Sequence, residues 1–173
     1  MRTLENFVLR LEPQHQSHAA EMFVVLSDPA IYAFENDPPP SVEFLQMRFA
    51  RLESAISPDG QEHWLNWVIR LPSSELIGYV QATVSVPGQA AAIAYILHSR
   101  YWGRGLASAA VVLMIDELVE RYGVTRLNAI LKSMNDRSRR LLERMGFVLE
   151  TGSDNADEPC VADEMRMNRV ARI

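Results

Sequence analysis

The sequence predicts a mixed α/β fold, a mostly antiparallel seven-stranded sheet with helices on both faces. Three observations carry this expectation. Two helical stretches come early, three consecutive extended segments follow between Trp64 and His98, and a glycine-punctuated turn after the last of them opens directly into a long helix. With 173 residues, 48% of them hydrophobic, the chain is long enough to bury a core as one domain, residues 1–173, without disulfides or metal.

The run Phe7-Val8-Leu9-Arg10-Leu11 is short and apolar enough for a first strand, which Pro13 closes. A helix over 15–26 follows from Ala19, Met22, Phe23 and Leu26 recurring on one face, and Asp28-Pro29 stops it. Because Pro38-Pro39-Pro40 fix φ and lack donors, 34–40 is a loop. Ser41 then precedes a second helix lined by Phe44, Leu45, Phe49 and Leu52, ending near Ser57-Pro58-Asp59-Gly60. Strands over 64–71, 76–86 and 91–98 are joined by turns containing Pro72-Ser73-Ser74 and Pro87-Gly88, and an antiparallel meander is the simplest pairing. The helix after the glycine turn ends at Tyr122-Gly123, where glycine suits a left-handed residue. A strand over 126–131, a helix over 135–145 capped by Asn135 and ended by Gly146, and strands over 147–151 and 161–170 around the polar loop 152–159 complete the chain.

Composition narrows the function classes. Cys160 is the lone cysteine and the N-terminus lacks the basic-then-apolar run of a secretion signal, so a reducing, cytoplasmic setting is expected. The longest strongly apolar stretch, 106–115, is interrupted by Ser108 and falls well short of the ~20 residues that cross a bilayer, so no membrane partner is expected. A net charge of −5 disfavours nucleic acid. His15, His18 and His63 show no metal-ligand pattern with Cys160, and no metal is expected.

The most informative segment is Tyr95-Ile96-Leu97-His98-Ser99-Arg100-Tyr101-Trp102-Gly103-Arg104-Gly105-Leu106-Ala107. Glycines at 103 and 105 let the main chain approach an anion closely, and the next residues offer unpaired helix N-terminal N–H groups backed by the positive end of the helix dipole. The predicted ligand is a cofactor pyrophosphate.

Trp102-Gly103-Arg104-Gly105-Leu106-Ala107, with a strand before it and a helix after it, resembles the acetyl-CoA signature of the GNAT superfamily of N-acetyltransferases, Gln/Arg-x-x-Gly-x-Gly/Ala. With Trp in first place it is similar to the branch that acetylates ribosomal-protein N-termini, although Arg100 to Gly105 satisfies the bare pattern in a second register. Asn135-x-x-Ser138-x-x-Leu141-Leu142-Glu143-Arg144-Met145-Gly146-Phe147 is similar to that branch's second signature, and the resemblance covers nearly the whole chain. Two departures stand out. Ala107-Ser108-Ala109-Ala110 replaces the Ala-Thr-Glu-Ala of many relatives, and Leu142 stands where many GNAT enzymes carry a tyrosine general acid.

The resemblance implies a GNAT fold and an enzyme that moves an acetyl group from acetyl-CoA directly to a primary amine, a protein N-terminus or a small amine, as monomer or homodimer. In that reading the main chain at Ile96 and Leu97 pairs with the cofactor arm, and the N–H of Leu97 faces the thioester oxygen. Trp102 opens the signature, the N–H groups of Gly103, Arg104, Gly105, Leu106 and Ala107 bind the pyrophosphate, and Ser108 adds a hydroxyl. Asn135 and Ser138 bond the cofactor arm, while Arg104 and Arg139 are the better placed of a cluster of arginines to neutralise phosphates. Plain helix capping explains Asn135 and Ser138 as well. Glu35, in the proline-rich loop, and His98, at the strand end, are the candidate bases. An exposed loop carboxylate and a strand-end polar residue are their plainer readings, and water relays the proton if the acceptor is an α-amino group with a pKa of about 8. The carboxylates of Asp154, Asp157 and Glu158, with Glu35 and Asp37, would make the acceptor mouth attractive to cations. The alternative is a non-catalytic acyl-CoA-binding regulatory or sensor module, with which the missing glutamate and tyrosine are consistent.

Overall fold

Period-two side chains build the sheet of this protein, whose computed structural model describes residues 1–34, 37–86, 89–150 and 163–171. The strands are β1 (Leu4–Glu5), β2 (Arg10–Pro13), β3 (Glu62–Arg70), β4 (Leu76–Ser85), β5 (Ala90–Leu97), β6 (Arg126–Lys132), β7 (Val148–Leu149) and β8 (Glu164–Val170). They lie in the order β1-β2-β3-β4-β5-β6-β8-β7, and every neighbouring pair is antiparallel except β5 and β6. The helices are α1 (Ala19–Leu26), α2 (Val42–Leu52), α3 (Leu106–Tyr122) and α4 (Asp136–Arg144).

Leu65, Trp67 and Ile69 of β3 stand opposite Ala82, Val80 and Gly78 of β4, and this face packs beneath Ala110, Val111, Met114 and Leu118 of α3. On the other face Met22 and Val25 of α1 and Leu45 and Phe49 of α2 close over Val68 and Leu76. Burying each of these side chains is worth roughly 1.5–3 kcal/mol, which is why two short helices hold their place there. α4 is nearly all charge, with only Leu141 and Leu142 buried, and Leu142 joins the α3 side of the core. Helices therefore cover both faces, as expected.

The strand count is eight where seven were expected, and the difference lies at the N-terminus. Asn6 Oδ1 accepts the amides of Val8 (2.8 Å) and Leu9 (3.0 Å), turning the chain sharply so that Leu4 pairs with Leu11. Phe7 and Val8, expected in the first strand, are exposed in this turn. The expected helix over 15–26 is likewise divided: His15 caps a 3-10 turn over Gln16–His18 before α1 begins.

The feature that positions a site is the parting of β5 and β6. Their parallel pairing runs only from Ala90 opposite Arg126 to Ala92 opposite Asn128, while β5 continues to Leu97 and β6 to Lys132. From residue 93 onward β5 keeps β4 on one side and a gap on the other. Its position is tightly fixed on the β4 side, because Gly78 lies opposite Leu97 and a Cβ there would sit 2.0 Å from the Ile96 carbonyl oxygen.

Candidate active site

Strand geometry decides which backbone groups face the gap. The His98 N–H donates to the Ile77 carbonyl (2.9 Å), so that amide points at β4. Because the main chain alternates along a strand, the N–H and C=O of Leu97 and Tyr95 point the other way, into the gap. Leu97 O accepts the Trp102 indole N–H (2.8 Å), whereas the Leu97 N–H, turned from β4, faces a side on which the pairing with β6 has ended at Ala92.

At the mouth of the gap, Gly103 (φ +74°) and Gly105 (φ +75°) adopt left-handed conformations that other residues rarely take, and Gly105 is the N-cap of α3. The first amide of α3 to pair with a carbonyl among the described residues is that of Ala109, which donates to Gly105 O (3.0 Å). The amides from Gly103 to Ser108 meet no protein acceptor among the described residues, and residues 103–105 are exposed. Unpaired amides at the positive end of a helix of this length can hold an anion, and the free edge of β5 can pair with an extended amide-bearing chain. The local design thus fits a long ligand with a phosphate at one end and an amide arm.

Trp102 sits where the two layers meet, packed against both faces of the core. The Arg137 guanidinium lies over its ring, 3.6 Å from the centroid. A cavity of about 80 Å³ occupies the fork, lined by Tyr95, Ile96 and Leu97 of β5, Trp102 and Ala107, and Asn135, Arg137, Ser138 and Leu141 at α4. Ala30, Ile31 and Phe34, from the connection between α1 and α2, close its remaining side.

Of the residues singled out in the sequence, Ile96, Leu97, Trp102, Ala107, Asn135 and Ser138 line this cavity. Gly103, Arg104, Gly105, Leu106 and Ser108 belong to the adjoining turn and first helical turn. Asn135 caps α4, its Oδ1 accepting the Ser138 N–H (3.1 Å). Arg139 is directed elsewhere, pairing with Asp136 (3.0 Å) and lying 3.9 Å from Glu143 on its own helix, while Arg104 lies over the Tyr101 ring at 5.6 Å. Arg137, not Arg139, reaches the cavity, and Tyr95 and Phe34 are lining residues that sequence reasoning did not assign to it. Arg137, Arg139, Arg140 and Arg144 look alike on paper, and only the direction that α4 gives each separates them.

His98 does not line the cavity. Its Nδ1 sits 3.2 Å from Asp28 Oδ2 and 3.3 Å from the Arg100 amide nitrogen. Asp28 also accepts the Ser99 N–H (2.6 Å) and, through its other oxygen, the Ala30 N–H (3.0 Å). Burial on its own would raise the Asp28 pKa, but the Ser99 and Ala30 hydrogen bonds and the neighbouring His98 hold it below the ordinary aspartate value. His98 is therefore engaged in joining β5 to the α1–α2 connection. Glu35 and the 154–158 carboxylates lie outside the described residues.

A second cavity, of about 380 Å³, lies on the α1–α2 face between α2, the segment Pro38-Pro39-Pro40 and strands β3 and β4. Ile96, at the end of β5, lines both cavities. Among the described residues no group of three His, Cys, Asp or Glu side chains could hold a metal ion, and no helix is long and apolar enough to cross a membrane.

Residues 8–148 match the model of the acetyltransferase (GNAT) domain. No curated protein matches the sequence. Among solved structures, RimL, a ribosomal α-N-protein acetyltransferase in complex with coenzyme A, is similar at a TM-score of 0.79 and 18% identity, over 97% of this chain and 97% of that one. A ribosomal-protein alanine acetyltransferase from Vibrio fischeri gives 0.79 and 18%, over 97% and 96% of the two chains. A spermidine N-acetyltransferase chimera from Vibrio cholerae and hSSAT gives 0.76 and 18%, over 94% and 95%.

Proposed function

Because the chain belongs to the GNAT acetyltransferase family, whose acetyl donor is acetyl-CoA, we propose that it works as a single domain that moves the acetyl group directly onto a primary amine, of a small molecule or a protein N-terminus. The observation that carries this reading is the parting of β5 from β6 after Ala92, with unaccepted amides from Gly103 to Ser108 at its mouth. The exposed amides at the start of α3 bind the pyrophosphate. The free edge of β5 at Tyr95 and Leu97 receives the amide-bearing arm, with Asn135 and Ser138 on the opposite wall.

The acceptor enters through the second cavity and meets the acyl group beside Ile96. Its neutral nitrogen attacks the thioester carbonyl, and the Leu97 N–H donates to the carbonyl oxygen as negative charge gathers there. A donor placed in this way is worth roughly 3–4 kcal/mol in other enzymes. Tyr95 lines the fork, with its hydroxyl 3.4 Å from Ser138 O, and serves as the proton donor to the departing thiolate in place of the tyrosine that Leu142 replaces. Glu35 or a water relay takes the proton from the amine. Replacing Glu35 by Gln should lower kcat/KM and shift its acidic limb, and a pH profile identical to wild type removes Glu35 from the mechanism.

Two left-handed glycines supply a controlled test. Gly60 (φ +72°) and Gly105 (φ +75°) have equal backbone demands and open space around them, but only Gly105 belongs to the glycine turn. Gly105→Val should weaken acetyl-CoA binding by at least about tenfold, ~1.4 kcal/mol, in calorimetry. Gly60→Val carries the same strain and should bind as wild type. Equal affinity in both variants refutes the placement of the pyrophosphate, and the absence of amine-dependent thiol release refutes the activity.

A further inference from the structure

Resting on the acetyl-transfer reading, we propose that the acceptor amine itself carries an anionic group, a carboxylate or phosphate, which Arg48 and Arg51 of α2 hold while the amine reaches the end of β5. The cavity of about 380 Å³ has in its lining Ile96, which also lines the fork, and Arg48 of α2. Arg48 also lines the adjoining cavity of about 200 Å³, where Arg51 joins it across from Trp64 and Thr83. The two guanidinium groups stand three residues apart, which places them as neighbours on one helical face.

Neither has an ion-pair partner among the described residues, although both are exposed surface side chains and not the only arginines of which this holds. The acidic side chain that follows on the same segment, Glu53, is turned away: it accepts the Gln16 N–H at 2.6 Å and lies 3.4 Å from His15. A second observation comes from the same cavity. Gln14 lines the larger cavity, and its Nε2 is a buried donor with no acceptor among the described residues. The remaining polar lining is largely neutral, from Tyr32, Asn66, Tyr79 and Gln81, with Asp37 as its one carboxylate among the described residues. Two guanidiniums without a carboxylate beside them favour a ligand that brings acceptor oxygens, and guanidinium matches carboxylate and phosphate geometry. A polyamine would instead bring positive charge against Arg48 and Arg51.

Thiol release from acetyl-CoA measured with β-alanine, O-phosphoethanolamine, ethanolamine and spermidine tests this. The carboxylate and phosphate amines should give kcat/KM at least about tenfold above ethanolamine and spermidine, a difference of ~1.4 kcal/mol. Either order within the anionic pair supports the proposal and tells which anion is bound. The double variant Arg48→Gln/Arg51→Gln should raise KM for both anionic amines about tenfold or more, and an unchanged KM for acetyl-CoA reports that the fold is intact. Equal or better turnover of ethanolamine or spermidine, or unchanged KM values for the anionic pair in the double variant, overturns the proposal and leaves acetyl transfer standing. No thiol release with any of the four overturns this proposal, and acetyl transfer falls with it only if N-terminal peptides give no thiol release either.

Discussion

Trp102 is held from two directions. Its indole N–H donates to Leu97 O at 2.8 Å and the Arg137 guanidinium covers its face at 3.6 Å, so the turn before Gly103 is tied to the end of β5 and to the start of α4 together. Removing the donor alone isolates the first tie. Trp102→Phe keeps an aromatic ring for Arg137 but leaves Leu97 O without its partner, and should cost about 1 kcal/mol of stability in urea titration. It should also raise KM for acetyl-CoA several-fold, because the amides that follow Trp102 lose their fixed distance from β5. The prominence of Trp102 was legible in the sequence, since it opens a glycine-bearing turn between an apolar strand and a helix. Its partner was not, because Arg137 differs from Arg139 and Arg140 only in the direction α4 gives it.

The end of β5 owes its position to Gly78 at the level of the strand pair. That glycine's φ is ordinary, but β4 and β5 approach so closely that an added Cβ would lie 2.0 Å from Ile96 O and 2.9 Å from the Leu97 Cα. Both are main-chain atoms, which cannot rotate aside. Gly78→Ala should therefore destabilise the protein by ~1–3 kcal/mol or more, the range for overpacking in a filled interior. It should also weaken acetyl-CoA binding, since relief of the clash pushes β5 toward the gap. Calorimetry and thermal melts on the same variant check both parts, and wild-type values in both would show that the strands are not so tightly coupled. Strands β3, β4 and β5 were legible from their alternation and turns. The first strand was not, because Phe7 and Val8 are apolar enough for a strand, yet Asn6 bonds the next amides and makes them the turn of a hairpin.

Across the whole molecule, Asp28 links regions far apart in the chain. Its carboxylate takes the Ser99 and Ala30 amides and faces His98, joining the segment after α1 to the turn after β5. Since its pKa is held below the ordinary value in the folded protein, its charged form stabilises the fold above the unfolded pKa of about 3.9. That contribution is lost as pH falls through the lower, folded value. Asp28→Asn should lower the Tm at pH 7 and flatten the decline of Tm below about pH 4. Parallel acid declines for the variant and wild type would remove Asp28 from this role. By itself the sequence determined the succession of strands and helices, the glycine turn and the GNAT resemblance, because periodicity, prolines and left-handed glycines act within a few residues of where they stand. Only the tertiary structure decided that β6 leaves β5 after Ala92, that Arg137 rather than Arg139 meets Trp102, and that Gln14 and Arg48 share a cavity with Ile96. Those facts depend on how distant segments pack against one another, which no local pattern of residues encodes.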